Sequence, residues 1–485
     1  MAAGWGRWPG RLACAGGAAL LAACAAGPDY RKPALDLPVA WKVEAPWREG
    51  TPNDAAAKGA WWERFNDPQL SALVQKVLDG SPTLVAANAR LSQARATVAA
   101  VSGARYPQVG AIARDGRARI SANRPLTNNI APNFSTTQND MVVALNVSYE
   151  VDLAGRVQRT IEGARASAQQ SAADLENVRL LLTTDLATSY FNLRAVDIEI
   201  NVLNRAIDLQ KRSLTLATSR HDLGATSGLD VAQQQALVDS TLAQVDVLAR
   251  QRSQFEHAIA TLTGTPAPLF SLAPDVKDMS PPAVPIGVPS DVLERRPDVA
   301  SAERAMAAAN AQIGVAQAAF YPSINLGGLY GNESRLLTGL FSTPSIIWSL
   351  GATMAQTLFD GGRIRANADF AQAGYDLTVA NYRRVVLTAM QEVEDGITGL
   401  AALERAHVQA QTAILSARRV LELANARYEG GVASSLDVIT AEQGLLASER
   451  FAAQLQGQRL LTSVFLVKAL GGDWQGGSKL ATQAP

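Results

Sequence analysis

Hydrophobic positions along this chain follow two periods, and the switch between them occurs twice. From Val178 through Leu182, Leu186, Tyr190 and Leu193, apolar residues recur every three or four positions, the stripe of a packed helix. At Val143, Leu145, Val147, Tyr149 and Val151 the period falls to two, with Ala144, Asn146, Ser148 and Glu150 between them. The alternation returns at Ile324, Leu326, Gly328 and Tyr330 against Ser323, Asn325 and Gly327. It returns again at Trp348, Leu350, Ala352 and Met354 against Ser349, Gly351 and Thr353. Two β-hairpins are predicted, over about 105–152 and about 321–360.

Proline marks the helical stretches by its absence. None of the 22 prolines falls within 133–265 or 345–484, and a proline inside a helix costs about 3 kcal/mol. An unbroken helix from Gly155 to His221 would run roughly 100 Å at about 1.5 Å per residue. After Gly224 and Gly431 a second helix returns for about 35 residues. Long antiparallel helical hairpins are therefore predicted over about 155–264 and 362–471, and a shorter helix over about 84–104.

The two halves match residue by residue. At an offset of 215, Leu78, Pro82, Ala94, Ala104 and Tyr106-Pro107 pair with Leu293, Pro297, Ala309, Ala319 and Tyr321-Pro322. At an offset of 207, Gly155-Arg156, Arg220, Gly224, Leu229-Asp230-Val231 and Gly264 pair with Gly362-Arg363, Arg427, Gly431, Leu436-Asp437-Val438 and Gly471. A long duplication is the pattern of repeated units rather than of an enzyme with one cleft. The eight-residue difference between the offsets is expected to sit in loops.

The boundaries that follow are a leader at 1–23, an N-terminal segment at 24–80 and a first repeat at 81–270. A linker at 271–298, a second repeat at 299–472 and a tail at 473–485 complete the chain. Residues 25 to 80 are rich in Pro and Trp and read as an extended linker ending in a short helix at about 68–79. Basic and acidic residues balance at 44 each, which points to no nucleic-acid partner. No apolar run reaches the roughly 20 residues a helix needs to cross a bilayer.

Arg7 and Arg11 precede the small, apolar stretch Leu12 to Ala23, the layout of a secretory signal. It ends Leu20-Leu21-Ala22-Ala23-Cys24, which resembles a lipobox, so Cys24 is the expected lipidation site; the alternative is a leader with an incidental Cys. Ala25 follows, where lipoproteins retained at the inner membrane carry Asp. The only other cysteine, Cys14, lies in the leader, so the mature chain has no disulfide.

Ten-residue strands with one apolar and one polar face fit a transmembrane barrel; the alternative is a soluble hairpin with one buried face. Two hairpins give only four strands, which cannot close around a pore, and open edges are not tolerated in hydrocarbon. If the strands span a membrane, several chains share one barrel, and three chains would supply twelve strands.

The chain resembles the TolC-like outer-membrane efflux proteins, and among them the NodT-type lipoproteins. The carriers are Gly27-Pro28-Asp29-Tyr30, Trp61-Trp62 with Phe65, Asp67, Pro68 and Leu70, and the run Pro289-Ser290-Asp291-Val292-Leu293-Glu294-Arg295-Arg296-Pro297-Asp298. Ile313-Gly314, Tyr321-Pro322 and Phe359-Asp360-Gly361-Gly362-Arg363 complete the set. The resemblance implies a mixed α and β membrane protein: a homotrimeric twelve-stranded β-barrel in the outer membrane, continued by a long periplasmic α-helical barrel. It implies a passive duct for drugs, metals or other small molecules, docked through a periplasmic adaptor onto an inner-membrane pump, often of the resistance-nodulation-division type. The anchor is a covalent lipid on Cys24, and no cofactor is expected. Some relatives are protein-secretion ducts, and a poreless periplasmic stalk is the reading from another class.

The candidate working residues lie where each descending helix turns, in Ser227-Gly228-Leu229-Asp230 and Ser434-Ser435-Leu436-Asp437. By resemblance, Asp230 and Asp437 match carboxylates that ring a closed periplasmic entrance, and acidic rings favour cations. Ser-x-x-Asp is equally a helix-start pattern, in which Ser caps and Asp meets the positive end of the helix dipole. Tyr428 matches a tyrosine of the closed tip, and is equally a packing residue. Relatives often carry a basic residue and a second Asp where this chain has Ala433 and Thr440. His221, His257 and His407 are too scattered for a metal cluster, and no catalytic constellation stands out. Gly361-Gly362 lacks the Lys-Ser/Thr ending of a phosphate loop.

Overall fold

The computed structural model describes residues 26–32, 59–123, 135–277, 279–282 and 295–472. The leader, Cys24, the proline-rich stretch 33–58, linker residues 283–294 and the tail lie outside the described residues. Eleven longer elements follow in order: α1 (Pro68–Gly80), α2 (Pro82–Ser102), β1 (Gln108–Ile120), β2 (Thr136–Val151), α3 (Arg156–Asp222) and α4 (Gly228–Leu262), then α5 (Pro297–Ala318), β3 (Ser323–Ser334), β4 (Ile346–Ala355), α6 (Arg363–Glu429) and α7 (Ser435–Ala469). The duplication is visible in the lengths: α3 and α6 have 67 residues each, α4 and α7 have 35 each.

The residues form two compact units. The first takes Leu91–Ser171 and Ala302–Asn381 with the described part of Met1–Pro33. Its centre is one antiparallel sheet in the order β1-β2-β3-β4, so the hairpins of the two repeats pair through β2 and β3. The register aligns the alternation across all four strands. Val109, Val147, Gly328 and Leu350 form one row, and Ala111, Leu145, Tyr330 and Trp348 the next. One face is thus apolar from Val143 to Val151 along β2, about 26 Å at about 3.3 Å per residue. The opposite face carries Asn146, Ser148, Glu150, Asn325, Gly351 and Thr353.

The eight-residue difference between the repeats does not stay in the loops. β2 has 16 residues where β4 has 10, because the outer ends of the first hairpin extend past the apolar band. There the pairs are polar, such as Arg117 with Asn139 and Arg119 with Thr137. Polar pairs outside the band need no partner for an apolar face, so their number is free to vary.

The segment 26–32 packs within the same unit. The Ala26 N–H donates to the Ala154 carbonyl at 2.9 Å. The Arg159 guanidinium binds the Ala26 and Gly27 carbonyls, each at 3.1 Å, and pairs with Asp29 at 3.0 Å. The Asn310 amide donates to the Pro28 carbonyl at 2.9 Å. A Cβ on Gly27 would fall 2.5 Å from the Gly314 Cα, so the two glycines fit against each other through bare backbone. That explains why Gly27-Pro28-Asp29 and Ile313-Gly314 belong to one set of motif residues.

The second unit takes Ala172–Ser301 and Tyr382–Pro485 with Ala34–Arg90, as far as these are described. Trp61, Tyr190, Phe191, Leu70 and Leu186 are buried together, and the Trp61 indole N–H donates to the Thr183 hydroxyl at 3.4 Å. Asp67 caps α1, accepting from the backbone N–H groups of Gln69 at 2.8 Å and Leu70 at 3.1 Å, with Pro68 in the first helical position. Its other oxygen accepts the Tyr190 hydroxyl at 2.6 Å. The Trp-Trp-x-x-Phe-x-Asp-Pro-x-Leu motif is therefore a clamp on α3.

Each repeat closes in the same way. Gly264, after α4, has φ +71°, and a Cβ there would meet the Gly80 carbonyl at 2.8 Å. Gly471, after α7, has φ +82°, and its Cβ would meet Arg295 at 3.0 Å. Gly80 and Arg295 are 215 apart and the two glycines 207 apart, the offsets of the sequence match. The end of every helical hairpin is pinned to the start of its own repeat.

Candidate functional site at the two helical turns

Both turns are built alike. α3 and α6 end in glycines of positive φ, +75° at Gly224 and +73° at Gly431, the left-handed residue of a helix stop. Ala225 N–H then reaches the Arg220 carbonyl at 2.8 Å, and Val432 N–H the Arg427 carbonyl at 3.0 Å. α4 and α7 start with the predicted caps: Asp230 accepts from the Ser227 N–H at 3.1 Å, and Asp437 from the Ser434 N–H at 2.9 Å. Each carboxylate also accepts its own cap serine's hydroxyl, at 3.2 Å and 3.1 Å. The capping role expected of both aspartates is present.

Beyond the caps the twins diverge. Asp230 accepts two further hydroxyls, from Thr226 and from Ser435 of the other repeat, the latter at 2.5 Å. The residue matching Thr226 in the second repeat is Ala433, and the residue matching Ser435 in the first is Gly228. Neither offers a hydroxyl, so Asp437 has no reciprocal bond to make and is exposed at the turn. Donation by Ser435 and then Thr226 holds the Asp230 carboxyl below its ordinary range, against a smaller opposing effect of burial. Asp230 is therefore ionised across neutral and mildly acidic pH, and its link to Ser435 weakens only on strong acidification.

Tyr428 lies one turn from Gly431 and packs with Leu421, Val438, Ala441 and Leu209. Its hydroxyl is buried without a partner. The Arg220 guanidinium stacks 4.5 Å from its ring centroid and donates to the Tyr428 carbonyl at 3.0 Å. Asp230, Tyr428 and Asp437 thus sit at the turns, and Asp230 is joined to Ser435. Arg220 and Thr226 were not singled out as working residues, and Ser435 only as part of the second turn segment. The signal for Ser435 and Thr226 lay in the comparison of the repeats, where hydroxyls face Gly228 and Ala433. Among the described residues no group of three His, Cys, Asp or Glu side chains is placed to hold a metal.

No helix among the described residues is long and apolar enough to cross a membrane. An antiparallel sheet with one apolar face, together with duplicated helical hairpins, points to the class of outer-membrane channel subunits. The profile of the family described as "Outer membrane efflux protein" matches residues 73–265 and 288–472, and the chain belongs to that family. It is 32% identical over 457 residues to the pyoverdine export outer membrane protein OpmQ of Pseudomonas aeruginosa, spanning 94% of this chain and 95% of that protein. It is 30% identical to the toluene efflux pump outer membrane protein TtgF of Pseudomonas putida, spanning 94% and 95%. Among solved structures, the outer-membrane channel OprN superposes with a TM-score of 0.84 at 29% identity, covering 93% of this chain and 100% of that one. The open state of the Neisseria gonorrhoeae MtrE channel superposes with a TM-score of 0.79 at 27% identity, covering 93% and 98%. The protein is the outer-membrane channel component of a tripartite efflux pump.

Proposed function

We propose that three copies form one passive duct, with a shared twelve-stranded barrel in the outer membrane and a helical barrel reaching into the periplasm. The observation that carries this is the four-stranded sheet: its apolar face is of the length expected for a lipid-facing band, while the outer edges of β1 and β4 have no strand partner among the described residues. A barrel closes those edges, and one chain is too few strands to do it. Phe370, Leu377 and Leu387 on α6 are exposed in the single chain, which supports further burial between copies. Work for export comes from an inner-membrane pump, of the resistance-nodulation-division type, linked through a periplasmic adaptor. The cargo is small molecules, in keeping with the pyoverdine and toluene named for the relatives.

The lipid on Cys24 anchors each copy. Ala26, two residues on, is tied to the backbone just beyond β2, which supports an acyl chain entering the membrane beside the strand ends. Cys24→Ala is expected to abolish incorporation of labelled fatty acid; unchanged labelling would remove the anchor from this reading.

At the turns, three copies of Asp230 and Asp437 ring the periplasmic entrance, and the Asp230–Ser435 bond ties the two hairpins of each chain in the shut state. The test is the mass of the detergent-purified protein and its conductance in planar bilayers. A trimer with small currents is expected, and Asp230→Ala with Asp437→Ala should raise the conductance several-fold and reduce cation preference. A monomer would overturn the duct, and unaltered conductance in the double variant would leave the aspartates as caps alone.

A further inference from the structure

The seam between the hairpins of the two repeats holds a carboxylic acid that the duct reading does not use. Polar residues recur along it at heptad spacing. On α3 these are Arg220, Ser213 and Glu199, with Ala206 between, and on α7 they are Ser435, Glu442 and Glu449. Most members are paired. Glu199 accepts from Arg450 at 2.5 Å, and Glu449 pairs with Arg418 at 2.7 Å and Arg205 at 3.7 Å.

Glu442 is different. It is 3% exposed, and one of its oxygens accepts the Ser213 hydroxyl at 2.5 Å. The other oxygen is buried with no partner, and so are both side-chain polar atoms of Gln210, which is 1% exposed. Both residues line a cleft of about 160 Å³ with Arg205, Leu209, Leu445 and Glu449. An ionised carboxylate with a bare oxygen here would be costly, whereas a protonated one is neutral and gains a donor.

We propose that Glu442 is a proton-operated latch: it is protonated while the two hairpins are in contact and ionises when they part. Burial pushes its carboxyl above the ordinary range, and donation by Ser213 opposes this only in part. The charges nearby are engaged elsewhere. Arg205 and Arg418 serve Glu449, and Asp230 on α4 is bound one heptad toward the turn at Ser435. Below the ordinary value near 4.5 the acid is protonated in both arrangements and the seam is at its tightest. As pH rises through the window between that value and the raised one, only the parted arrangement ionises, so the seam loosens. Asp230 stays ionised throughout that window and cannot mimic the effect.

The consequence for gating rests on the duct reading, so the seam is tested directly. In the intact detergent-purified protein, amide hydrogen exchange over 206–216 and 438–449, corrected for intrinsic rates, should be at least about fivefold less protected at pH 8 than at pH 5. Glu442→Gln, a neutral isostere, should keep the protected pattern at both values. A flat profile in the unsubstituted protein, or an equal slope in Glu442→Gln, would overturn the latch. Conductance recorded on the same samples separates the two ideas: a pH-dependent seam in a protein without currents would fault the duct and leave the latch standing.

Discussion

Replacing Arg296 by alanine is expected to destabilise the protein by about 3 kcal/mol, through loss of the clamp that closes the second repeat. Arg296 is 4% exposed, and all three guanidinium nitrogens are used. Nε and Nη2 grip Asp298 in a two-pronged pair at 3.0 Å and 2.6 Å, while Nη1 reaches Glu392 on α6 at 2.6 Å and the Ala469 carbonyl on α7 at 3.1 Å. One side chain therefore ties the start of α5 to the long helix and to the last turn of α7, where a cation also meets the negative end of the helix dipole. Removing it strands the Ala469 carbonyl and leaves Glu392 with Lys468 at 3.5 Å as its remaining cation. Breaking a buried pair costs about 3–5 kcal/mol, and the lower end applies because both carboxylates keep some contact with water. Arg296→Lys should recover less than half of the loss, since a point charge cannot reproduce the fork. The measurement is the thermal unfolding midpoint in detergent, with exposed Arg304→Ala as the control. A midpoint unmoved by Arg296→Ala would mean that Gly471 and Pro297 close the repeat without the charge.

The same residue shows what a sequence does and does not disclose. Arg296 and Asp298 were visible as members of a motif, but their partners lie 96 and 173 residues further on, at Glu392 and Ala469. Periodicity assigns a residue to a face and does not name what the face meets. The strands were legible because period two survives in Val143 to Val151 and Trp348 to Met354, where one face of the sheet is apolar and the other polar. The turns were legible because Gly224 and Gly431 recur at a fixed offset, and the Ser-x-x-Asp caps form from residues three apart. The divergence of Asp230 from Asp437 was legible only as the unmatched hydroxyls of Thr226 and Ser435; the bond itself depends on a residue 205 positions away. Glu442 escaped for the same reason: its burial is set by α3 packing against α7. The extra length of the first hairpin was assigned to loops, yet β2 took much of it, because polar pairs beyond the band tolerate longer strands.

Leu350→Arg is expected to abolish assembly in the outer membrane, whereas Gly351→Arg is tolerated. The two positions are adjacent on β4 and differ only in the face they occupy. Leu350 lies in the row of Val109, Val147 and Gly328 near the middle of the apolar band, and is 83% exposed in the single chain. An arginine at the centre of a lipid-facing band costs about 2–4 kcal/mol, and the proposed trimer would meet that cost three times. Gly351 lies in the row of Gln108, Ser148 and Gly327, and a Cβ there meets nothing within 4 Å. In a shared barrel that face lines water, where a guanidinium is solvated and adds only positive charge to the lumen. Its expected signature is therefore a normal amount of trimer with altered ion selectivity. The measurement is the yield of oligomer extracted from outer membranes, followed by bilayer recording for any variant that assembles. Reversed sensitivity would turn the sheet inside out, with the polar face toward lipid. Equal tolerance of both arginines would mean that these strands do not cross a membrane, and would return the unpaired edges of β1 and β4 to the open question of what covers them.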